Sequence, residues 1–483
     1  MSLDDRDRAS PFGRRTKIVA TVGPATRSVE ALTELIRAGA DVLRLNFSHG
    51  TRAEHAENVA MAREAASAAD REVGLLGDLP GPKLRIDEVE GGMVELREGS
   101  ELTLTTDEAI GAADHLSVSW EGLPSAVHEG DEVYLADGRV RLRVLGATSE
   151  EISCAVEVGG RVASHQGLNM PGTEMPLPSA GRTDLGWVDF SVQQGIDLIA
   201  VSFVRRAEDL QAVERRVRVA GADIPLIAKV EKPQAAENAE AIVRAALGGI
   251  MVARGDLGIE LPIERVPTVQ KRLLSLAGRH SRPSITATQM LASMVTSSRP
   301  TRAEVTDVAN AIYDGTDAVM LSEETAIGEH PVEAVRVMDR IARETEPDLP
   351  YGDWVFSRVA TEPSDVAGSV ARAAVGSTYT LGLAALVVPT RSGRTARLVS
   401  AHRPRVPVLA VSPRIETVRR LRLLFGVRCA LAEEWTSLHD LLNDCAQLAR
   451  QTGAARSGDL IGVTAGLPQQ ELGTNLFEVH RVP

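Results

Sequence analysis

The sequence has few aromatic residues, very few cysteines and no long apolar run. Aromatic residues make up 3% of the chain, so its cores must be built mainly from aliphatic side chains and alanine. No apolar run approaches the roughly 18 residues of a membrane-spanning helix. The opening segment, MSLDDRDRASPFGRR, lacks the apolar core of a secretion signal. We therefore expect a cytoplasmic protein that has no membrane partner.

The scarcity of cysteine and the net charge narrow the possible partners. Cys154, Cys429 and Cys445 lie far apart and are odd in number, so they predict neither a disulfide framework nor a zinc site, and a reducing compartment fits best. The net charge of −13 argues against nucleic acid as a partner. An anionic substrate would need a locally positive pocket.

Lysine is also rare, because arginine supplies almost all of the 53 basic residues. The five lysines are Lys17, Lys83, Lys229, Lys232 and Lys271. Lys229 follows the apolar residues of LIAK. A compact ammonium on a flexible stem can reach a point in a tight site that a wide planar guanidinium cannot occupy. We interpret Lys229 as a candidate catalytic residue. The alternative is that it only neutralises Glu231, two residues further along the same strand face.

Eight short apolar runs, most of them separated by amphipathic segments, predict the main domain. They are TKIVATVG (16–23), DVLRLNF (41–47), VGLLGDL (73–79), LIAVSF (198–203), PLIAKV (225–230), GIMVARGD (249–256), SITATQM (284–290) and AVMLSEE (318–324). Continuous apolar runs of this length are typical of parallel strands buried on both faces. Eight such units predict an α/β fold, a (β/α)8 TIM barrel formed by residues 1–82 and 177–350.

Two further domains are expected to interrupt and follow the barrel. Residues 80–197 separate the third and fourth runs and contain alternating strand patterns, with a hairpin signal at Asp137–Gly138. We expect residues 83–176 to form an inserted all-β domain, a β-barrel that acts as a lid. A new alternation of strands and helices predicts a C-terminal α/β open-sheet domain over residues 355–483.

Polar and charged residues gather where the predicted barrel strands end, which is where the active sites of such barrels lie. They are Arg44, Asn46, Ser48, Asp78, Lys229, Glu231, Arg254, Asp256, Thr288, Ser322 and Glu324. Any one of them alone could be an ordinary surface charge. Their convergence from six of the eight strands favours one shared site.

Glu231 and Asp256 are predicted to end neighbouring strands, about 5 Å apart. Paired carboxylates at that spacing suit Mg²⁺, which also takes water and substrate oxygens as ligands. The alternative is that they form salt bridges with Lys229 or Arg254. A metal, an arginine, a buried lysine and the backbone donors of ARGDLG (253–258) in one mouth are typical of phosphoryl transfer.

Nine segments resemble the pyruvate kinase family over essentially the whole chain. They are TVGPAT (21–26), RLNFSHG (44–50), DLPGPKLR (78–85), QGLNMPG (166–172), KVE (229–231), MVARGDLGIE (251–260), ATQMLASM (287–294), RPTRAEVTDVANAIYDG (299–315) and MLSEETAIGEHPVEAV (320–335). The resemblance implies the three-domain arrangement. It also implies transfer of a phosphoryl group from phosphoenolpyruvate to ADP, which gives pyruvate and ATP in the last step of glycolysis.

The resemblance further implies roles for matching residues. Mg²⁺, with Mn²⁺ as a substitute, is expected on Glu231 and Asp256. The transferring phosphoryl group is expected to contact Arg44 and Lys229, and the substrate carboxylate to contact Gly255, Asp256 and Thr288. The nucleotide side is expected to hold Asn46, Ser48, His49 and Arg85. A water relay involving Thr288 or Ser322 is the candidate for protonating the enolate.

Three departures from the family pattern bear on cofactors and contacts. Many members bind K⁺ through residues matching Asn46, Ser48, Asp78 and Leu79, and carry glutamate where this chain has Lys83. We expect the Lys83 ammonium to neutralise the same carboxylate and to make K⁺ unnecessary; the alternative is that Lys83 points to solvent at the lid hinge. Gln166 replaces a family lysine, so the contact that this lysine would make with a nucleotide phosphate is not predicted here. The change from SGET to SEET (322–325) is expected to lie outside contact with the substrate.

The C-terminal domain contains PTRSGRTA (389–396), a pattern in which small hydroxyl residues and a glycine precede a helix. The family resemblance implies a phosphorylated allosteric effector here, bound by Thr390, Ser392, Gly393, Arg394 and Thr395. The alternative is an ordinary strand–helix turn. A homotetramer is likewise what the resemblance implies.

Two rival functions remain open at this stage. One is a Mg²⁺-dependent lyase or aldolase that uses pyruvate enolate on the same barrel, which would need neither a lid nor the nucleotide-side residues. The other is a non-catalytic regulatory protein with this fold, against which the intact set of catalytic residues argues.

Overall fold

A computed structural model describes residues 13–107, 109–136, 138–171, 177–359, 365–435, 437–466 and 473–483. Eight parallel strands close into a barrel, each paired with its neighbours in chain order. We number them barrel strands 1 to 8: Lys17–Thr21, Val42–Asn46, Gly74–Asp78, Leu198–Val201, Leu226–Val230, Gly249–Ala253, Ser284–Ala287 and Ala318–Leu321. All eight lie within the apolar runs of the sequence, so the predicted TIM barrel is confirmed.

Helices surround the barrel because strands that are buried throughout need apolar cover on their outer side. The first helix begins after Ser28, whose hydroxyl accepts the Ala31 N–H at 3.1 Å, and ends at Gly39, where φ is 131°. The helices of this domain are Val29–Ala38, Arg52–Ala68, Arg182–Gln193, Gln211–Val219, Pro233–Glu237, Ala239–Ala245, Arg254–Glu260, Val266–Arg279, Arg302–Tyr313, Glu323–Ala326 and Pro331–Thr345. Short 3₁₀ turns lie at Pro24–Thr26, Ala207–Leu210, Ile263–Arg265, Ala292–Val295 and Glu346–Asp348.

The segment between barrel strands 3 and 4 forms a seven-stranded mixed sheet and a two-stranded sheet, Met93–Leu96 with Gly160–Ala163, around its own aliphatic core. Its strands are Leu84–Arg85, Met93–Leu96, Glu101–Thr105, His115–Ser117, Glu132–Leu135, Val140–Ala147, Glu151–Val158, Gly160–Ala163 and Gly167–Asn169, with the helix Leu123–Ala126 and the 3₁₀ turn Glu90–Gly92. Glu132–Leu135 and Val140–Ala147 pair antiparallel, although Asp137 of the predicted hairpin signal lies outside the described residues. The sheet curls until Ile86 and Val118 form a bridge.

The C-terminal domain is a five-stranded open sheet flanked by helices. Its strands are Ala385–Pro389, Val408–Ser412, Val427–Leu431, Leu460–Ala465 and Leu476–Arg481. Four are parallel, and the fifth, Leu476–Arg481, is an antiparallel edge strand that was not predicted from the sequence. The helices are Tyr351–Ser357, Val366–Thr380, Arg394–Ala401, Ile415–Arg420 and Leu438–Gln451, with a 3₁₀ turn at Leu421–Leu423.

The C-terminal domain contacts the barrel at the end where the strands begin. Lys17, the first residue of strand 1, donates to the carbonyl of Val427 at 2.8 Å. Arg403 is fully buried and forms a 2.8 Å ion pair with Asp317, which precedes strand 8. These contacts leave the opposite end of the barrel, where the strands finish, open to the inserted sheet. None of the helices in the described ranges has the length and hydropathy of a bilayer-crossing segment.

Candidate active site

Barrel strands 2, 3 and 5 bring two cations and one carboxylate together at the barrel mouth. Arg44 Nε donates to Asp78 Oδ2 at 2.7 Å, and Lys229 Nζ lies 3.2 Å from Asp78 Oδ1. The Asp78 side chain is almost wholly buried, which alone would raise its pKa, but Lys229 and Arg44 hold the pKa of Asp78 below its usual value. Arg44 also donates to Thr21 Oγ1 at 3.1 Å, a partner that the sequence reasoning missed.

Lys229 has two further partners. Its Nζ lies 2.8 Å from Glu231 Oε1 and donates to Ser202 Oγ at 2.8 Å. Burial opposes its charge, but Asp78 and Glu231 raise the pKa of Lys229, so the ammonium stays protonated. The ion pair with Glu231, which the sequence offered as the alternative, is present. A contact with a phosphoryl group stays a prediction.

Glu231 and Asp256 form a pair of carboxylates that fits a divalent cation. Burial raises the pKa of Glu231 against the opposing charge of Lys229, and the negative charge of Asp256 raises it further, a repulsion that a bound cation would relieve. Its second oxygen, Oε2, accepts the Phe203 N–H at 2.8 Å. In the described ranges, no group of three or more His, Cys, Asp or Glu side chains is arranged to hold a metal. Mg²⁺ at this site would complete its ligands with water and substrate oxygens.

The sequence predicted that Asp256 would end a strand, and this prediction is wrong. Strand 6 ends at Ala253, and Asp256 lies in the first turn of the helix Arg254–Glu260. Of the two salt bridges offered as the alternative to a metal site, the one with Lys229 is present, whereas Arg254 pairs with Asp307 at 2.7 Å. Arg254 instead supports the next loop, donating to the carbonyl of Thr288 at 2.9 Å.

Thr288 occupies a strained turn beside Gly255 and Asp256. Thr288 and Gln289 both have left-handed backbones, with φ of 68° and 52°, which is unfavourable for residues other than glycine. The Gly255 N–H donates to Thr288 Oγ1 at 2.7 Å. The structure thus brings Gly255, Asp256 and Thr288 together, as the sequence predicted.

Glu324 joins the loops that follow strands 7 and 8. Its Oε1 accepts the Leu291 N–H at 3.0 Å, and its Oε2 accepts the Ser322 N–H at 2.7 Å. The side chain is buried, and burial raises the pKa of Glu324. The sequence placed Glu324 at a strand end but assigned it no role. Its contacts identify it as a residue that positions Ser322.

A cavity of about 220 Å³ lies between these groups. Its lining includes Lys83, Asp256, Thr288, Ser322 and Glu323. The Ser322 hydroxyl is buried and has no hydrogen-bond partner among the described residues. Glu323, the changed residue of SEET, was expected away from the substrate, but it borders this cavity.

The predicted nucleotide-side residues lie close together. Burial lowers the pKa of His49, and the positive charges of Arg85, Arg44 and Lys83 lower it further. Arg85 donates to the carbonyl of His165 at 2.8 Å. Gln166, which replaces a family lysine, uses its side-chain oxygen to accept the Ala163 N–H at 2.9 Å.

Asn46 and Ser48 form a local turn after strand 2. The Asn46 side-chain oxygen accepts the Ser48 N–H at 3.2 Å. Both residues are partly exposed at the barrel mouth. Their roles towards a nucleotide or a monovalent cation stay predictions.

Lys83 pairs with a different carboxylate from the one that the sequence interpretation chose. Its Nζ lies 3.7 Å from Asp256 Oδ1, whereas Asp78 is paired with Arg44 and Lys229. The carbonyl of Leu79 accepts the Ser202 hydroxyl at 2.6 Å. The Lys83 side chain is 26% exposed, so it does not simply point to solvent.

The predicted effector loop is well formed in the C-terminal domain. Gly393 adopts φ of 83° and donates to Thr390 Oγ1 at 3.0 Å, just before the helix Arg394–Ala401. Arg394 pairs with Asp365. Thr395 is buried, with its hydroxyl bonded to that of Thr474, so it is less accessible than the sequence suggested. Ser392 is exposed.

Comparisons with known proteins cover nearly the whole chain. Residues 13–335 match the family described as the pyruvate kinase barrel domain, and residues 368–480 match the pyruvate kinase alpha/beta domain. The chain is 42% identical to a pyruvate kinase of Geobacillus stearothermophilus over 97% of its length and 80% of that protein. It is 39% identical to a pyruvate kinase of Thermococcus litoralis over 97% of its length and 99% of that protein.

A solved structure extends these similarities to the fold. A crystal structure of a pyruvate kinase from Cryptosporidium parvum superimposes with a TM-score of 0.92 at 35% sequence identity. The match covers 100% of this chain and 98% of the other. The likeness therefore includes all three domains.

Proposed function

The chain belongs to the pyruvate kinase family, and from that premise we propose that Arg44, Lys229 and the Glu231–Asp256 pair perform its phosphoryl transfer. The activity is transfer of the phosphoryl group of phosphoenolpyruvate to ADP, which gives pyruvate and ATP. The observation that carries the assignment of residues is the convergence of these groups, from strands 2 and 5 and the helix after strand 6, on one mouth.

The cations of the mouth would stabilise the phosphoryl group as it moves. Glu231 and Asp256 would hold Mg²⁺, which would supply charge neutralisation at the substrate oxygens. Arg44 offers a planar fork of N–H donors, and Lys229 offers a single mobile ammonium. Lys229 would exchange part of its contact with Asp78 or Glu231 for a phosphoryl oxygen. Its raised pKa supports this role, because the ammonium remains charged throughout.

The other end of phosphoenolpyruvate is proposed to lie against Gly255 and Thr288. The Gly255 N–H now donates to Thr288 Oγ1 and would turn to the substrate carboxylate. Protonation of the enolate is proposed to pass through water near Thr288 or Ser322. The unpartnered Ser322 hydroxyl, which lines the same cavity, supports this route.

The nucleotide is proposed to bind between the barrel and the inserted sheet, which would act as a lid. Asn46, Ser48 and His49 come from the loop after barrel strand 2, whereas Arg85 lies on the first strand of the inserted sheet. A nucleotide in contact with both parts would draw them together and exclude water from the transfer step. Gln166 contributes no positive charge to this side.

We also propose that this enzyme works without K⁺, although the family generally uses both Mg²⁺ and K⁺. Two of the four residues that match the family's K⁺ ligands already have partners here: Asp78 pairs with Arg44 and Lys229, and the Leu79 carbonyl accepts from Ser202. Lys83 places a fixed positive charge beside Asp256. A tethered cation does not lose the entropy of a captured ion, and it preorganises the mouth.

Regulation, assembly and location are proposed on more general grounds. The glycine turn before the helix Arg394–Ala401 supports binding of a phosphorylated effector at Thr390, Ser392, Gly393, Arg394 and Thr395. A homotetramer is proposed because it is what the family resemblance implies. A cytoplasmic location is supported by three free thiols, at Cys154, Cys429 and Cys445.

The proposed function is tested by following ATP formation from phosphoenolpyruvate and ADP in a coupled assay with Mg²⁺. ATP formation that disappears in Arg44→Met and Glu231→Gln would support both the activity and the assignment of residues. Turnover of pyruvate enolate without ADP would instead favour a lyase or aldolase. Tight binding of phosphoenolpyruvate without turnover would favour a non-catalytic regulatory protein.

A further inference from the structure

The chain passes twice between the barrel and the inserted sheet. The first crossing, residues 79–83, leads from barrel strand 3 to the lid strand Leu84–Arg85. The second crossing returns from the lid and ends, in the described residues 177–181, at the helix Arg182–Gln193. One carboxylate, that of Asp184, contacts both crossings.

Each oxygen of Asp184 accepts one backbone N–H. Gly81 donates to Oδ1 at 2.8 Å, and Gly181 donates to Oδ2 at 2.9 Å. We propose that Asp184 is a positioning residue that ties the two crossings together and thereby sets the point about which the lid moves. The inference rests on the lid function proposed above and adds the residue that controls it.

The hydrogen bond between Asp184 and Gly81 is not needed to cap the helix. Asp184 is the third residue of its helix, and a carboxylate there caps the helix by accepting the Gly181 N–H. Gly81 lies 103 positions earlier in the chain and belongs to another element. The side chain is 4% exposed, so a carboxylate left without these donors would be a buried, unsatisfied group.

The first crossing packs against Ser202 and Phe203, which hydrogen-bond to the proposed catalytic groups. Gly81 adopts φ of 67°, and a Cβ there would lie 2.7 Å from the Phe203 ring and 2.8 Å from Ser202 Cβ. Phe203 donates its N–H to Glu231, and Ser202 accepts from Lys229. The tie at Asp184 therefore fixes the position of the lid relative to Glu231, the proposed metal carboxylate, and Lys229, the proposed catalytic lysine.

The first crossing is attached to the barrel just before the tie, whereas the second is also attached to the barrel on the lid side of the tie. The Leu79 carbonyl accepts from Ser202, and Ser179 donates to the carbonyl of Asp209 at 2.9 Å. A cleft of about 730 Å³ beside them has Pro82 and Leu177 in its lining. Arg85, on the proposed nucleotide side, lies four residues beyond Gly81. Loss of the hydrogen bonds to Asp184 should therefore weaken nucleotide binding more than binding of phosphoenolpyruvate, whose proposed ligands lie on the barrel.

The variant that tests the inference is Asp184→Asn. An amide has one acceptor oxygen, so one of the two N–H donors would face an NH₂ group. We expect kcat to fall and the KM for ADP to rise, each by about tenfold, the scale of one lost hydrogen bond. The Kd for phosphoenolpyruvate, measured without ADP, should stay within about twofold of its original value because its ligands lie on the barrel.

The matched control is Asp440→Asn. Asp440 is also the third residue of its helix, Leu438–Gln451, but it lies in the C-terminal domain. This control should leave kcat and both affinities unchanged. Equal kcat and KM for ADP in the two variants, or an equal loss of phosphoenolpyruvate and ADP affinity in Asp184→Asn, would overturn the inference.

Amide hydrogen exchange tests the tie without any assay of activity. Pro80 and Pro82 have no amide proton, so a peptide spanning residues 79–83 reports few amides, Gly81 among them. In the unmodified protein, the Gly81 and Gly181 amides should exchange slowly although they lie in loops. Fast exchange at Gly81 would overturn the inference even if Asp184→Asn did not fold. A chain with a protected Gly81 but no pyruvate kinase activity would refute the proposed function alone.

Discussion

At the scale of single residues, Lys229 offers the sharpest test of catalysis. Its ammonium fits between Ser202, Asp78 and Glu231 at distances of 2.8 to 3.2 Å. A guanidinium is wider and planar, so Lys229→Arg would keep the charge but move the donors. We expect turnover to fall by about 100-fold, the scale of losing one transition-state donor, with phosphoenolpyruvate binding retained. Steady-state kinetics and a binding titration measure the two effects.

Lys271→Arg is the matched control for that substitution. Lys271 pairs with Asp314 on the surface, away from the barrel mouth, and its side chain is 63% exposed. The control should keep full activity. If Lys229→Arg also turned over at a near-normal rate, Lys229 would have no specific role in the transfer.

The second residue-scale prediction concerns Lys83 and monovalent cations. The unmodified enzyme should be equally active in potassium chloride and in tetramethylammonium chloride at the same ionic strength. Lys83→Glu removes the fixed cation beside Asp256 and adds a negative charge, so activity should become dependent on added K⁺. Strong activation of the unmodified enzyme by K⁺ would show that Lys83 does not replace the ion.

At the scale of elements, Glu324 connects the loops after strands 7 and 8. Glu324→Gln would keep one acceptor oxygen and set an NH₂ group against either the Leu291 or the Ser322 N–H. We expect kcat to fall by about tenfold, because the Thr288 and Ser322 loops would lose their relative position. The KM for ADP should change little, since the nucleotide-side residues lie elsewhere.

Glu346→Gln is the control for Glu324→Gln. Glu346 is equally buried and also accepts two backbone N–H groups, from Arg15 and Thr16, but it lies at the opposite end of the barrel. Both variants should lower the melting temperature, whereas only Glu324→Gln should lower kcat. A matching loss of kcat in both would reduce the role of Glu324 to general stability.

The effector loop gives a second prediction at this scale. Ser392 is exposed, whereas Thr395 is buried against Thr474, so Ser392 is the better position for an introduced charge. Ser392→Glu should abolish activation by a phosphorylated effector through repulsion between like charges. The measurement is the ratio of activity with and without sugar phosphates or nucleoside monophosphates. An unmodified enzyme that ignores both classes would contradict the proposed regulation.

At the scale of the whole molecule, Lys17 couples the barrel to the C-terminal domain. Burial lowers the pKa of Lys17 to about 8, while Asp41 opposes the shift, and Lys17 bonds the Val427 carbonyl. Between pH 8 and its unfolded pKa of about 10.5, the unfolded chain binds more protons than the folded one. The contribution of Lys17 to stability should therefore rise with pH across that window, by about 3 kcal/mol.

Melting temperatures measured from pH 7 to pH 10 test this coupling. Lys17→Met removes the titrating group, so the melting temperature of the unmodified chain should rise relative to that of the variant as the pH increases above 8. A difference that stays constant over this range would show that Lys17 titrates normally in the folded protein.

Most of the elements and most of the candidate site could be predicted from the sequence. The eight barrel strands follow from continuous apolar runs, since a strand covered on both faces needs apolar residues at every position. Arg44, Lys229, Glu231 and Thr288 could be identified because a barrel brings the ends of its strands to one mouth. The edge strand Leu476–Arg481 was missed because it is half exposed and lacks such a run.

The tertiary structure alone decided which groups are partners. Lys83 pairs with Asp256 rather than Asp78, and Arg254 pairs with Asp307 rather than a metal carboxylate. In both cases the partner belongs to a different element, so its proximity depends on how whole elements pack and not on local periodicity. Asp184 is the clearest instance, because its sequence context specifies only a helix cap. Its bond to a glycine 103 positions away exists only because the lid leaves and rejoins the barrel at one place.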